Sequence, residues 1–213
     1  IHMTLGTPTM PARLVVIGSI NQDYFTYVEE FPHPGQTVLA ERAAIGLGGK
    51  GANQAMSAAA LGCPVLFVGA VGTDSAAAAA LEGLRAGGVD TTGILILTDV
   101  LTGAAYITVS GTGENTIVVS AAANAGLDAH AVESRLDELG IRASDVLLCQ
   151  GELSAAVVER VAGMASRVGA RFVLNLAPVI PVSHTVLTSA AVLIVNEGEA
   201  RDLAAQLGVD DLA

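Results

Sequence analysis

The sequence predicts an α/β fold, a mostly parallel sheet covered by helices, with a small β-sheet lid standing off it. Three observations carry this. Short apolar, β-branched runs recur at 13–18, 65–68, 146–149, 172–176 and 192–195, the pattern of strands buried on both faces. Patterns of helical period, rich in Ala, Leu, Glu and Arg, follow at 50–61, 75–86, 128–139, 155–168 and 197–207, and strand, helix, strand at this spacing implies right-handed βαβ units. Two stretches, 24–30 with 37–45 and 102–109 with 116–120, alternate apolar and polar residues instead. They read as half-exposed strands of a small antiparallel sheet, for which a lid is the natural use.

In chain order, the first strand ends at Gly18, and Asn21-Gln22-Asp23 lies just beyond it. Residues 50–61 begin a helix at a glycine-rich entry, and Gly62-Cys63-Pro64 turns the chain into the strand at 65–68. Asp74 precedes the helix at Ser75 and is expected to order its start as an N-terminal acid. Ser110-Gly-Thr-Gly-Glu-Asn115 separates the second pair of lid strands. Gln150 and Glu152 follow the third core strand, Asn175 lies at the end of the fourth, and Asn196 and Glu199 follow the fifth. In open parallel sheets ligands bind outside the carboxyl ends of the strands, so these polar residues are expected to converge on one edge. The domain is expected to run from Arg13 to Ala213, with lid strands inserted at 24–45 and 102–120, after a tail at 1–12 whose Ile1-His2 reads as a cloning remnant.

A chain of 213 residues that is 52% hydrophobic can bury a sizeable core. Its net charge of −11 argues against a nucleic-acid partner, which needs clustered Lys and Arg to neutralise phosphates. No stretch reaches the roughly 18 apolar residues that cross a bilayer, and 1–12 lacks the pattern of a secretory leader. Cys63 and Cys149 both lie in apolar runs and are expected to be core thiols, a usage that fits the cytoplasm. The four histidines show no metal-ligand spacing.

One lysine occurs among ten Lys and Arg residues, Lys50, inside Gly48-Gly49-Lys50-Gly51-Ala52-Asn53-Gln54-Ala55. Gly46 to Gly51 matches G-x-G-x-x-G by letter, but it does not follow the first core strand as a dinucleotide fingerprint does. A P-loop would have Ser or Thr after the lysine, where Gly51 stands. What remains is a backbone that passes close to a ligand, and a helix start whose amides are expected to point free donors outward at a polyol or an anion. Lys50 would add a charged donor and Asn53 an amide; the plainer alternative is a solvated lysine at a helix entry. Asn21 and Asp23 form an amide and carboxylate pair able to grip adjacent hydroxyls, or a turn with local hydrogen bonds. Glu152 is a loop acid or a ligand group, and for Asn196-Glu197-Gly198-Glu199 helix capping is sufficient.

Taken together, Gly18-Ser19-Ile20-Asn21-Gln22-Asp23, Gly48 to Ala55, Gly113-Glu114-Asn115, Asn124, Glu152 and Asn196-x-x-Glu199 resemble, in order along nearly the whole chain, the ribokinase-like carbohydrate kinases. The resemblance implies a ribokinase-like three-layer α/β sandwich with a β-sheet lid, and transfer of phosphate from ATP to the 5-hydroxyl of D-ribose. It implies that Asn21, Gln22, Asp23, Gly49, Lys50, Gly51, Ala52, Asn53 and Glu152 hold the sugar. Asn196 would lie near the ATP phosphates and Glu199 would act on Mg²⁺ through water, with K⁺ as a further cation. The lid strands would close over ribose and pair with a second subunit. A sister kinase of the same fold, acting on fructose, a deoxyribose or a nucleoside, is the nearest alternative.

Two departures, Leu176 in Asn175-Leu-Ala-Pro178 and Ala122 before Ala123-Asn124, remove no ligand side chain. A larger one concerns the chemistry. Phosphoryl transfer needs a base oriented on the attacking hydroxyl, which in this family is the Asp of a G-A-G-D motif, and no such motif occurs up to Ala213. Most of the adenine pocket and the monovalent-cation site would go with it. The chain is therefore expected to be part of a longer protein, with the base beyond Ala213; a chain that ended there would be a non-catalytic sugar-binding module.

Overall fold

The computed structural model describes residues 12–208. Most of the tail expected at 1–12 lies outside the described residues, and so does the expected end of the domain, from Val209 to Ala213. The main sheet has six strands in the order β10-β9-β8-β1-β4-β5, formed by Leu14–Ile17 (β1), Val65–Val71 (β4), Asp90–Ile96 (β5), Val146–Gln150 (β8), Arg171–Asn175 (β9) and Val192–Ile194 (β10). Every pairing in it is parallel.

Period-two alternation sends β1 into two cores at once. Val15 and Ile17 join the apolar layer under Ala129–Glu138 (α4), Ala155–Val168 (α5) and His184–Ser189 (α6). Val16 faces Lys50–Ala60 (α1) and Ser75–Ala86 (α2) on the other side. The result is the expected three-layer sandwich. The last helix is Glu197–Leu207 (α7).

The second sheet has the order β3-β2-β6-β7, from Asn21–Tyr27 (β2), Arg42–Gly48 (β3), Gly103–Val109 (β6) and Asn115–Ser120 (β7). It is mixed rather than antiparallel: β2 and β6 run parallel at its centre, flanked by antiparallel β3 and β7. The reason is topological. Each excursion leaves on one strand and returns on the next, and the two join through their outgoing strands. β2 also begins at Asn21, three residues before the expected start, and residues 37–40 form no strand.

Other elements depart from the sequence reading. β5 pairs with β4 at the sheet edge although no strand was expected there, and Ala123–Gly126 (α3) and α6 are short helices the apolar pattern does not announce. Cys149 is buried, which pushes its thiol pKa up, but Cys63 is exposed in the turn after α1 rather than in the core. Among the described residues no helix is long and apolar enough to cross a membrane.

Candidate active site

Strand β2 carries the first of the expected site residues. Alternation along β2 puts Asn21 and Asp23 on one face and Gln22 on the other. Asn21 is fixed by Asn124 of α3, whose Nδ2 donates to Asn21 Oδ1 at 2.8 Å and to Ile20 O at 3.1 Å, while its Oδ1 accepts from Ile20 N at 2.9 Å. With its oxygen so engaged, Asn21 has its NH₂ group left to donate. Asp23 packs against the backbone of Gly48, where an added Cβ would overlap the carboxylate. Its Oδ1 is buried without a hydrogen-bond partner. Burial, and secondarily the negative charge of Glu152, raise its pKa above the ordinary carboxylate range.

Glu152, in the turn after β8, closes the other side. Its carboxylate accepts from Lys50 N at 2.9 Å and from Ser19 Oγ, and lies 3.5 Å from Lys50 Nζ. Ser19 in turn receives Gly51 N on Oγ at 3.4 Å and Ala52 N on its carbonyl at 3.0 Å. The amides of Lys50, Gly51 and Ala52 at the start of α1 are thus bonded within the protein, contrary to the expectation that they point outward. The anion favoured at a helix N-terminus is here the side chain of Glu152. Only glycine suits position 49: its φ is 88°, and a Cβ would stand 2.8 Å from Ser19 O.

Most of the expected site residues fall in three places, and Asp23, its Oδ1 buried, lines none of these three cavities. Asn21 and Glu152 line a cavity of about 220 Å³ with Ser19, Asn124, Pro178 and the lid residue Val119. Lys50 and Asn53 line a separate groove of about 470 Å³ with Asn196 and Glu199, and the Lys50–Glu152 ion pair joins the two. Gln22 is not brought to either; it lines a cavity of about 160 Å³ with Ile45, Leu47 and alanines of α2, which Asn21 also borders. Gly51 and Ala52 are buried. Asn196 and Glu199 form a reciprocal cap at the start of α7, each accepting the other's backbone N–H at 2.8 Å. That arrangement leaves the Asn196 NH₂ and one Glu199 oxygen outside the cap.

Asp74 does what its position predicts and more. It accepts Ala77 N at 2.9 Å as the cap of α2, and it also takes Thr102 N at 2.9 Å and Thr102 Oγ1 at 2.6 Å. It thereby ties α2 to the base of the second lid excursion, and these bonds outweigh burial to lower its pKa. Ser19 and Asn124 were quoted in the motifs without a role; the polar residue beside each strand end was their only signal. Val119 carried none, because an exposed lid strand looks alike on both faces.

Gly48→Ala gives a first test. The new methyl displaces the Asp23 carboxylate, so affinity for a sugar ligand should fall about tenfold or more, since buried polar partners are left mispaired. Calorimetric titration of the folded variant with wild-type affinity would contradict this placement of Asp23.

The model of the pfkB family carbohydrate kinases matches residues 11–213, and the chain belongs to this family. It is 39% identical to the ribokinase of Haemophilus influenzae over 194 residues, covering 91% of this chain and 63% of that protein. It is 36% identical to the ribokinase of Schizosaccharomyces pombe, covering 88% and 60%. Among solved structures, ribokinase from Giardia lamblia superposes with a TM-score of 0.79 at 32% identity, covering 94% of this chain and 62% of that one. The Arabidopsis thaliana ribokinase complexed with ribose and ATP gives 0.80 at 29% identity, covering 92% and 64%. The chain spans about three-fifths of the length of these curated relatives.

Proposed function

We propose that these residues form the sugar-binding part of an ATP-dependent kinase that converts D-ribose to D-ribose 5-phosphate. The observation that carries this reading is the buried, unpartnered oxygen of Asp23. A sugar hydroxyl donating to it would complete its hydrogen bonding, and the Asn21 NH₂ and the Glu152 carboxylate supply a donor and a second acceptor for neighbouring hydroxyls. Ribose, rather than another polyol, is supported by the ribokinases among its relatives.

The ATP phosphates fit the neighbouring groove, where Lys50 is the lining cation and Asn196 offers an amide. Glu199 keeps one oxygen outside its cap, which suits a water-mediated contact with Mg²⁺ rather than a direct cage. Bound Mg²⁺ would neutralise phosphate charge. A K⁺ requirement belongs to the same reading and is tested by exchanging KCl for NaCl in the assay. The protein's own part is to hold the sugar, orient its 5-hydroxyl toward the groove and exclude water beneath the lid.

The base is proposed to lie beyond Ala213, in a longer chain of which these residues are a part. The length of the relatives and the β10 edge, with Val192, Leu193 and Ile194 all exposed, support this. An intact mass of 21.4 kDa for a folded, monodisperse sample would contradict it. Exposed Tyr106, Ile117 and Val118 on the lid strands support a homodimer through the lid, which sedimentation would read. Two free thiols fit a cytoplasmic location.

ADP release measured against D-ribose, 2-deoxyribose, D-fructose and nucleosides tests the substrate. Deoxyribose is the pointed competitor, because a deoxyribokinase of Salmonella typhi is 32% identical over 78% of this chain. Ribose is expected to give the highest kcat/KM; a clear preference for another acceptor would overturn the choice.

A further inference from the structure

Three carboxamides form a chain whose direction one backbone carbonyl sets, and two of them, Gln54 and Asn175, line the groove itself. Asn175, at the end of β9, donates Nδ2 to Ile194 O of β10 at 3.2 Å. Gln54 of α1 donates Nε2 to Asn175 Oδ1 at 3.1 Å, and Gln150, at the end of β8, donates Nε2 to Gln54 Oε1 at 2.8 Å. A carboxamide can present either end, so its neighbours decide which. Ile194 O only accepts, so Asn175 must turn its nitrogen toward it and its oxygen toward Gln54. Gln54 must then donate to Asn175 and accept from Gln150. Reversing the chain would set oxygen against oxygen at Ile194.

The cost of this order falls at the far end. Gln150 is fully buried and its Oε1 has no partner. Gly18 makes room for it, since a side chain there would overlap that oxygen. An apolar residue of similar size would fill the site without an unmade hydrogen bond, so the chain is not explained by packing. Its ends suggest what it does. α1 carries Lys50 and Asn53 on one wall of the groove, and β10 leads into Asn196 and Glu199 on the other. Among the described residues, Gln54 to Asn175 is the one side-chain hydrogen bond joining α1 to β9 or β10.

We propose that Gln54 is a positioning residue, which through Gln150 and Asn175 fixes the separation between the groove wall on α1, which carries Lys50 and Asn53, and the facing wall at the ends of β9 and β10. The proposal rests on the kinase reading. In-line transfer is sensitive to such spacing: a displacement of about 1 Å can cost on the order of 100-fold in rate.

Gln54→Glu keeps the shape and still accepts from Gln150, but it turns a carboxylate oxygen toward Asn175 Oδ1. In the full-length protein it should lower kcat about 10- to 100-fold while the Kd for ribose changes less than about threefold, because Asn21, Asp23 and Glu152 are untouched. Activity relative to wild type should recover as pH falls, since the introduced carboxyl, once protonated, donates to Asn175 again. Lys50 and Glu199 are ionisable groups lining the same groove, so each rate is referenced to the wild-type profile at that pH. A second readout is independent of turnover: the Gln150 side-chain amide protons should exchange slowly in wild type and fast in Gln54→Leu.

Unchanged kcat in Gln54→Glu, or parallel losses of ribose affinity and kcat without recovery in acid, would overturn the proposal. Should the wild type release no ADP with any sugar, the kinase reading fails instead. The amide exchange then decides alone, and unprotected Gln150 protons count against the chain.

Discussion

Asp23→Ala is expected to weaken D-ribose binding by about 2 to 4 kcal/mol, roughly 30- to 700-fold in affinity at 25 °C. The variant removes the buried acceptor and leaves a sugar hydroxyl and the Asn21 NH₂ in a cavity with fewer partners. Calorimetric titration checks it, and unchanged affinity would place the site elsewhere. The same residue predicts an opposite effect on the ligand-free protein. Its pKa is higher folded than unfolded because burial and the Glu152 charge disfavour the anion. The cost to stability is therefore absent below the unfolded pKa, grows as pH rises to the folded pKa and persists above it. Asp23→Asn should be at least as stable as wild type at neutral pH, with that advantage vanishing in acid. Ribose affinity of the wild type should decline in acid once pH falls through the raised pKa.

Asp145→Ala is expected to destabilise the fold by about 3 kcal/mol, lowering Tm by roughly 6 to 12 °C for a domain of this size. The carboxylate has no solvent exposure and sits below β8, at the end of the sheet opposite the site. It accepts Arg13 Nη2 at 2.6 Å, Arg13 Nε and N at 3.3 Å, and Arg142 N at 3.0 Å. Burial alone would raise its pKa, but these donors together hold it below the usual value. This stabilisation is present above the unfolded pKa and is lost as pH falls through the lower folded one, opposite in sense to Asp23. Thermal melts of the variant and wild type should converge in strong acid. A Tm equal to wild type at neutral pH would mean that the anchor contributes nothing.

The two carboxylates also show what a sequence can and cannot disclose. Core strands were legible because Val15, Val16 and Ile17 must be apolar to be buried on both faces, whatever their neighbours. The start of β2 was hidden because Asn21, Gln22 and Asp23 look like a turn; functional groups displaced the apolar alternation that marks a strand. β5 was hidden for a related reason: it opens Asp90-Thr-Thr-Gly, and its pairing with β4 is interrupted by a shift between Leu66 and Val68. Among the expected site residues, Lys50 stood out by composition, whereas Asp23 and Glu152 each had a plainer alternative and were given a role only by the family resemblance. That Glu152 would cap α1 and consume the donors expected to face a ligand depends on a contact across 102 residues of sequence. Gln150 was marked only by its place after a core strand and Gln54 only by lying in the glycine-rich motif, since the role of a buried carboxamide shows only once its partners are known.

The most direct test of the account is to locate ribose itself in a crystal of the protein grown with D-ribose. The sugar is predicted in the cavity lined by Asn21 and Glu152, beneath Val119, with Asp23 turned so that its Oδ1, buried outside that lining in the free protein, meets one hydroxyl at about 2.7 Å. Ribose bound instead among Gln22, Ile45 and the alanines of α2, with Asp23 Oδ1 still unpartnered, would contradict it.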